Sequence, residues 1–275
     1  MASRGFILSF HSHNISGNGY ASNDHVALDR ALARLAELRI PVLRLLDMAR
    51  ALRSGRFDSL PDRFSCITFD DGSDYDWLDL DFPGHGPQRA MYTILRAHSR
   101  SLLGLMWIRR ARATSFVIAS REARREIAQQ ALGDGRLMSD SWWRAAQRSG
   151  LMDIGTHGWN HVHPAVSEIA AQPQLHERFD RIDSAEDARL QVDRAFEEIH
   201  RKAGGAAGRL FAYPYGQVSE FLAVRHLPAQ DRIVAAVTTE PKPVQAGSNP
   251  WRIPRYMCGP DWSDEAGLDS LLRGA

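Results

Sequence analysis

Short apolar runs alternate with amphipathic stretches along nearly the whole chain. Each run is short enough for a single strand, and most runs end in polar or turn-forming residues. The runs lie at residues 6–10, 42–46, 65–71, 113–120, 151–157, 209–216, 233–239 and 251–255. This pattern predicts seven or eight buried strands.

Helical periodicity follows most of these runs. The first helix is predicted to begin at Ser22, Asn23 or Asp24, because these residue types cap helices, and to end before Pro41. Ser184 is predicted to cap another helix. Further helices are predicted over residues 46–52, 91–98, 121–132 and 142–147. Most strands are therefore followed by a helix.

The alternation of strands and helices predicts a parallel sheet with helices outside it. Seven or eight strands favour closure of this sheet into a barrel over an open sheet. No shift in composition and no repeat marks a boundary, so we expect one domain over residues 1–275. Residues at about 73–112 are less regular, with prolines and glycines near residues 83–87, and they are predicted to form an insertion.

Composition removes several classes of function without selecting one. The 275 residues carry a formal net charge of +1, which offers no electrostatic attraction for nucleic acid or an acidic membrane surface. Cys66 and Cys258 are too few for a disulfide framework and are predicted to be free, buried thiols. The N-terminal apolar run is too short for a secretion signal or a membrane span, so the expected location is cytoplasmic. The oligomeric state stays open.

Residues suited to catalysis or metal binding follow several of the predicted strands. In a parallel barrel the carboxyl ends of the strands meet at one rim, where active sites form. The residues at these ends are His11, His13, Asp70, Asp71, His157, His161, Tyr213 and Tyr215. Scattered surface residues would not collect in this way, so we expect a site at this rim.

Asp70 and Asp71 are adjacent like charges at the end of a predicted strand. Successive side chains of a strand point to opposite faces, so the two carboxylates are expected to have unequal surroundings unless the chain turns between them, and the following Gly72 permits such a turn. A cation would offset their repulsion, which otherwise raises the pKa of one of them. The alternative is structural, with one aspartate capping the next helix and the other exposed.

The segment THGWNH places His157 and His161 four residues apart. On a helical turn this spacing brings both imidazoles to one face, close enough to share a metal. With an aspartate from a neighbouring strand end, they form a ligand set typical of catalytic zinc sites, which keep a position open for water. Zinc (Zn2+) is the expected metal, and cobalt, nickel, iron or manganese suit the same ligands. His163 is an alternative ligand to His161.

Three short motifs resemble those of a known enzyme family. TFDDG (68–72), THGWNH (156–161) and FAYPYG (211–216) are similar to the first three motifs of the polysaccharide deacetylases, also called NodB-homology or carbohydrate esterase family 4 enzymes. The resemblance extends over residues 6–257 and includes RIPR (252–255). It implies a distorted (β/α)7 barrel and the hydrolysis of N-acetyl groups on sugars, or of related amides.

The resemblance also implies roles for individual residues. Asp70 matches the family's general base, and Asp71 matches a metal ligand together with His157 and His161. Tyr215 matches the residue whose backbone N–H stabilises the oxyanion. The two adjacent aspartates therefore have different implied roles.

Two departures from the family pattern leave roles unfilled. Ala212 stands where the family often has an arginine that orients the base. Arg255 is the first candidate for that role, and Arg252 is the second. The family's general acid is a histidine near the C-terminus, a part of this chain that contains none. His163 is the first candidate proton donor, and His11 is the second.

The expected function is a metal-dependent hydrolase that removes an N-acyl group, with N-acetyl expected first, from an amino sugar or related carbohydrate. Without a secretion signal, a small sugar precursor or a small non-sugar amide fits better than a cell-wall polymer. A non-catalytic homologue that binds metal or carbohydrate is one alternative, because two family residues are missing. An amidohydrolase of small cyclic amides on the same barrel is the other.

Overall fold

A curled sheet of parallel strands forms the centre of the protein. The structure, a computed structural model, describes residues 3–101 and 111–273. Its strands are β1 (Arg4–Phe10), β2 (Arg63–Phe69), β3 (Leu80–Phe82), β4 (Gly86–Gln88), β5 (Ala113–Val117), β6 (Met152–Thr156), β7 (Leu210–Ala212), β8 (Ala235–Val237) and β9 (Tyr256–Met257). Seven of them form one parallel sheet in the order β8-β7-β6-β5-β2-β1-β9, and β3 pairs with β4 in an antiparallel hairpin.

The two edges of this sheet meet through the segment that leads into β9. Ile253 pairs with Val237 of β8 and donates its N–H to the carbonyl of Ala236. Tyr256 and Met257 then pair with β1 at the other edge. The sheet thereby closes into the distorted (β/α)7 barrel that the sequence predicted.

Helices connect most of the strands. They are α1 (Asp24–Glu37), α2 (Leu45–Arg53), α3 (Met91–Ser101), α4 (Arg121–Leu132), α5 (Trp143–Ser149), α6 (Ser167–Ala170), α7 (Ala185–Ala188), α8 (Ala195–Ala203) and α9 (Glu265–Arg273). A π-helical turn at Arg189–Arg194 joins α7 to α8, and another lies at Leu222–His226. Asn23 caps α1 and Ser184 caps α7 with side-chain hydrogen bonds, as predicted.

Alternate residues of the strands face two different parts of the core. In β1, Leu8 and Phe10 share a cluster with the buried face of α1, whereas Ile7 packs with Cys66 inside the barrel. Both faces of the sheet are therefore buried, which explains why the strands read as continuous apolar runs. Cys66 and Cys258 are free and buried, as predicted.

The eighth predicted strand, at residues 42–46, is wrong. Val42 makes one isolated pairing with Ser65, and α2 already begins at Leu45. The buried residues of α2 recur with the helical period, starting at Leu45 and ending at Leu52. Burial of that helical face decides the local structure, because a short apolar run by itself does not distinguish a strand from a buried helix.

The predicted strand at residues 251–255 is displaced. Only Ile253 pairs with a neighbouring strand there, and the regular strand β9 follows at Tyr256. Pro254 lacks a backbone N–H and cannot donate to a strand ladder. The chain consequently switches partners at this proline, from β8 on one side to β1 on the other.

The insertion predicted at about 73–112 lies partly within the described residues. It contains the β3–β4 hairpin and α3, while residues 102–110 lie outside the described part of the chain. Gln88 of β4 accepts a hydrogen bond from the Asn23 side chain, which anchors the hairpin to the start of α1. That these residues are an insertion stays a prediction. No helix within residues 3–101 or 111–273 combines the length and apolarity needed to cross a membrane.

Candidate active site

The carboxyl ends of β1, β2, β6 and β7 carry the polar residues of the candidate site. His11 follows β1, Asp70 and Asp71 follow β2, His157 follows β6, and Tyr215 lies shortly after β7. Because these strands are parallel, their carboxyl ends lie at the same rim of the barrel. Residues that are distant in the sequence are neighbours there.

Asp71, His157 and His161 converge on one point. Oδ1 of Asp71 lies 3.5 Å from Nε2 of His157 and 3.4 Å from Nε2 of His161. The two Nε2 atoms are 3.2 Å apart. Ligand atoms of all three residues lie within 4.8 Å of one another, close enough to surround one metal ion.

The protonation of this group fits a metal better than an internal hydrogen bond. Nδ1 of His157 lies 2.9 Å from the carbonyl of Ala212, and an imidazole nitrogen that faces a carbonyl carries the proton. Its Nε2 therefore presents a lone pair. Burial lowers the pKa of His161 to about 3, so this imidazole is neutral at pH 7. Two imidazole nitrogens and a carboxylate form a donor set that suits zinc.

The loop that carries the two histidines is not the helical turn that their spacing predicted. His161 and Val162 have positive φ angles of 61° and 45°, which non-glycine residues adopt rarely and at a cost in energy. The side chain of Asn160 accepts hydrogen bonds from the Val162 N–H and from Gln191, and Gln191 accepts one from the Trp159 N–H. The strained loop is therefore held by two buried amides.

Asp71 is held in a second strained turn. Its φ is 72° and that of Gly72 is 73°. A Cβ atom at Gly72 would lie 2.5 Å from the side chain of Val117, so the turn tolerates only glycine there. This turn points the two adjacent carboxylates in different directions, as the sequence predicted.

Asp70 faces the barrel interior, where Arg255 binds it with two parallel hydrogen bonds. Nη1 and Nη2 of Arg255 each lie 2.8 Å from one carboxylate oxygen. Arg255 is fully buried and also donates to the hydroxyls of Ser9 and Thr68 and to the carbonyl of Thr238. Burial by itself raises the pKa of Asp70, but the charge and hydrogen bonds of Arg255, together with the nearby His157 and His11, hold that pKa below its usual value.

The second arginine candidate takes no part in this pair. Arg252 lies 2.5 Å from Glu220 at the protein surface. Arg255 therefore occupies the place that Ala212 leaves empty in the motif, and it reaches Asp70 from a segment much later in the chain. Ser9 and Thr68 were not predicted as residues of the site, although a polar position inside an otherwise apolar run is a signal that could have identified them.

Three further histidines lie around the triad formed by Asp71, His157 and His161. Nε2 of His11 and Nε2 of His13 lie 4.0 Å and 3.7 Å from Oδ2 of Asp71, on the oxygen that does not face His157. His163 lies beyond His161, with its ring centroid 6.4 Å from that of His161. Its Nδ1 accepts a hydrogen bond from the Ala165 N–H, which leaves the ring proton on Nε2.

Tyr215 lies against the triad in a third strained turn. Its φ is 58°, and its ring centroid is 4.4 Å from that of His161. The next residue, Gly216, also has a positive φ, and a Cβ atom there would overlap the side chain of Thr239. Strained backbone at three positions around one point is typical of functional sites.

The sequence matches a family model and several solved structures. The polysaccharide deacetylase model matches residues 58–227. The Streptococcus pyogenes deacetylase PplD, solved in complex with acetate, is 16% identical, with a TM-score of 0.65 over 98% of this chain and 99% of that chain. A de-N-acetylase from Aggregatibacter actinomycetemcomitans is also 16% identical, with a TM-score of 0.65 over 98% of this chain and 100% of that chain. The BpsB deacetylase domain from Bordetella bronchiseptica is 14% identical, with a TM-score of 0.58 over 92% of this chain and 95% of that chain.

No curated protein matches the sequence. The solved structures are less than 25% identical and support the fold, whereas the family model spans more than half of the chain. The chain belongs to the polysaccharide deacetylase family, whose members are hydrolytic deacetylases that act on C–N amide bonds.

Proposed function

We infer that the protein removes N-acyl groups from an amino sugar or related carbohydrate, with a divalent metal held by Asp71, His157 and His161. The observation that carries this proposal is the neighbouring Asp70–Arg255 pair, bound at 2.8 Å through both oxygens. A protein that only stores a metal or binds a sugar has no use for a second, separately clamped carboxylate beside the ligands. Hydrolysis needs such a group as a base.

The metal proposal rests on the donor set and its geometry. Two imidazole nitrogens and one carboxylate oxygen face a common point, and zinc is the first expectation for such ligands. A metal bound there would polarise the acyl oxygen and lower the pKa of a water molecule. The Ala212 carbonyl fixes the orientation of His157, a role that backbone carbonyls often have beside metal ligands.

Asp70 is proposed as the general base. Arg255 keeps it ionised and fixes both oxygens, so that the carboxylate can accept a proton from the attacking water without reorienting. The backbone N–H of Tyr215 is proposed to donate to the oxyanion of the tetrahedral intermediate. The strained turn at Tyr215 supports this role, because it holds that backbone in place beside His161.

Proton donation to the leaving amine is proposed for His11, with His13 beside it. Among the described residues, neither ring has a hydrogen bond that occupies its nitrogens, and both lie within about 4 Å of Asp71. His163 was the first candidate in the sequence, but its Nδ1 already accepts a backbone N–H. We propose that His163 instead donates a hydrogen bond through Nε2 to the bound substrate.

The test is amine release from N-acetylated chitooligosaccharides, N-acetylglucosamine and a panel of cyclic ureides. Protein stripped of metal should be inactive and should recover on addition of zinc or cobalt. Asp70→Asn should lower kcat by about 10² to 10⁴ while leaving bound metal in place. His11→Gln should lower kcat more than His163→Gln does.

Other outcomes would identify a different function. Turnover of cyclic ureides without turnover of acetylated sugars would favour an amidohydrolase of small amides. Metal and sugar binding with no turnover of any amide, and no change on Asp70→Asn, would favour a binding protein and contradict the proposal.

A further inference from the structure

A cavity of about 160 Å³ opens directly beside the triad. Its polar lining, beside the proposed metal ligands, consists of His13, Asp71, His161, His163 and Tyr215. Its far wall is apolar and consists of Ile118, which follows β5, of Ile127, Ala131 and Leu132 from α4, and of Met138. A substrate whose carbonyl lies beside Asp71 and His161 has room for one of its two arms in this cavity.

The far wall is a fixed surface. Arg124, which is 1% exposed, donates to the carbonyls of Ile118 and Met138 at 2.8 Å. Asp74 holds the flanking residues of Met138, because its N–H donates to the Leu137 carbonyl and its carboxylate accepts the Ser139 N–H. Two wall residues on separate segments are thus held by one buried guanidinium.

The size of the cavity exceeds what an acetyl group fills. An engineered cavity of about 150 Å³ lined by aliphatic and aromatic side chains accepts benzene, a molecule of six carbons. Even with a metal ion and a water molecule beside Asp71 and His161, the cavity would hold more than the single methyl of an acetyl group, and unfilled apolar space forfeits contacts with its lining. An acyl chain of four to six carbons matches both the volume and the apolar wall.

The apolar wall indicates which part of the substrate, the sugar or the acyl chain, enters the cavity. A sugar carries hydroxyls that need hydrogen-bond partners when they leave water, and Ile118, Ile127, Leu132 and Met138 offer none. An alkyl chain needs none. The sugar arm therefore belongs on the open side, and the acyl arm belongs in the cavity.

We propose that the preferred substrates carry an aliphatic N-acyl group of four to six carbons rather than acetyl, with the tail bound between Ile118, Leu132 and Met138. This inference rests on the proposed function, because it names the acyl class that the same site cleaves. Ile127 completes the wall from the buried face of α4.

The test compares the metal-loaded protein on N-acetyl-, N-butanoyl- and N-hexanoylglucosamine, measuring glucosamine release. The butanoyl compound should show a kcat/KM at least about tenfold above that of the acetyl compound, since each matched methylene in an apolar pocket contributes a selectivity of that order. Calorimetric titration with acetate, butanoate and hexanoate gives a second readout. The longer carboxylates should bind more tightly.

Two substitutions at one partly exposed wall residue separate the cavity from general effects. Leu132→Trp fills the cavity and should lower the butanoyl-to-acetyl ratio by about tenfold, whereas Leu132→Ala should shift the preference toward hexanoyl. Val224→Trp is the matched control, because Val224 is 63% exposed and lies outside the cavity. Its ratio should equal that of the unmodified protein. Thermal unfolding of each variant shows whether it is folded.

The outcomes distinguish the two proposals. Cleavage of acetyl faster than butanoyl, or a ratio that Leu132→Trp leaves unchanged, would overturn the acyl-length inference and leave the hydrolase proposal intact. No cleavage at any chain length would overturn the proposed function and this inference with it.

Discussion

Two fully buried arginines lie near the candidate site and bind different kinds of partner. Arg255 gives its two terminal nitrogens, Nη1 and Nη2, to the carboxylate of Asp70. Arg124 gives most of its hydrogen bonds to backbone carbonyls, and its carboxylate partner Asp140 is partly exposed. Arg255 favours the ionised form of Asp70, the proposed base. Arg124 holds Ile118 and Met138 in the apolar wall of the cavity beside His161.

Arg255 and Arg124 show two ways in which a buried cation is stabilised. Burying a charge is costly unless it is paired and hydrogen-bonded. Arg255 meets this need with a buried opposite charge, so its loss leaves Asp70 as an unpaired buried anion. Arg124 meets it with carbonyl dipoles, a ring of Trp143 at 4.5 Å and the partly exposed Asp140. Its loss leaves unpaired dipoles and a carboxylate that Lys202 still contacts, which costs less.

Loss of the Asp70–Arg255 pair is expected to lower stability and activity most. Arg255→Met should lower the free energy of unfolding by about 3–5 kcal/mol, because Asp70 is left buried without a partner, and it should abolish turnover. Adding Asp70→Asn should restore part of the stability but none of the activity. Chemical denaturation and amine release measure the two. Equal stability of the single and double variants would contradict the pairing argument.

Asp76 is a buried carboxylate near the site that has no arginine partner among the described residues, in contrast to Asp70. Asp76 is fully buried and is bonded to the hydroxyl of Ser115 at 2.5 Å, and Ser12, Asp70 and Asp71 are the other polar groups that face it. Burial raises its pKa to about 7, whereas Asp70 beside Arg255 has a lowered pKa. The presence or absence of a cation thus decides the charge of two carboxylates near one site.

This raised pKa predicts a dependence of stability on pH. Between the pKa in the unfolded chain, about 4, and about 7, the folded protein binds one more proton than the unfolded chain. Stability therefore falls as pH rises through that window, by about 4 kcal/mol from this group. Urea unfolding from pH 4.5 to pH 7.5 should show Asp76→Asn gaining stability relative to the unmodified protein as pH rises, since other groups such as buried His161 affect both proteins alike. Parallel curves would contradict the assignment.

The smallest of the three effects is expected at Arg124. Arg124→Met leaves the carbonyls of Ile118, Ala119 and Met138 without this donor and should cost about 2–3 kcal/mol of stability. Turnover of N-acetylglucosamine should fall less than turnover of N-butanoylglucosamine. The apolar wall of the cavity beside the triad becomes less rigid, whereas Asp70 still has Arg255 as its partner. An equal fall on both substrates would show that Arg124 supports the whole site rather than the wall.

The residues of the site differ in how far the sequence predicted them. The positions of Asp70, Asp71, His157 and His161 at strand ends follow from short motifs and from the parallel alternation of elements. The local structure did not follow, because a four-residue histidine spacing suits a helical turn equally well. The buried pair Asn160 and Gln191, from distant segments, holds the loop that forms instead.

The choice between two nearby arginines shows the same limit. Arg252 and Arg255 are three residues apart, and both were candidates to orient Asp70. The turn of the chain around Pro254 sends Arg252 to Glu220 at the surface and Arg255 into the barrel. Only the closure of the sheet between β8 and β9 decides which one is buried.

The barrel, the family and the rim at which the chemistry is proposed could be predicted from the sequence, since strand periodicity and short motifs are local properties of the chain. The partner of Asp70, the non-helical histidine loop and the cavity between β5, α4 and Met138 follow from the folded structure alone. Each of these depends on side chains that meet across the fold from segments far apart in sequence. No local pattern encodes such a meeting, because packing and pairing of buried charges are properties of the whole fold.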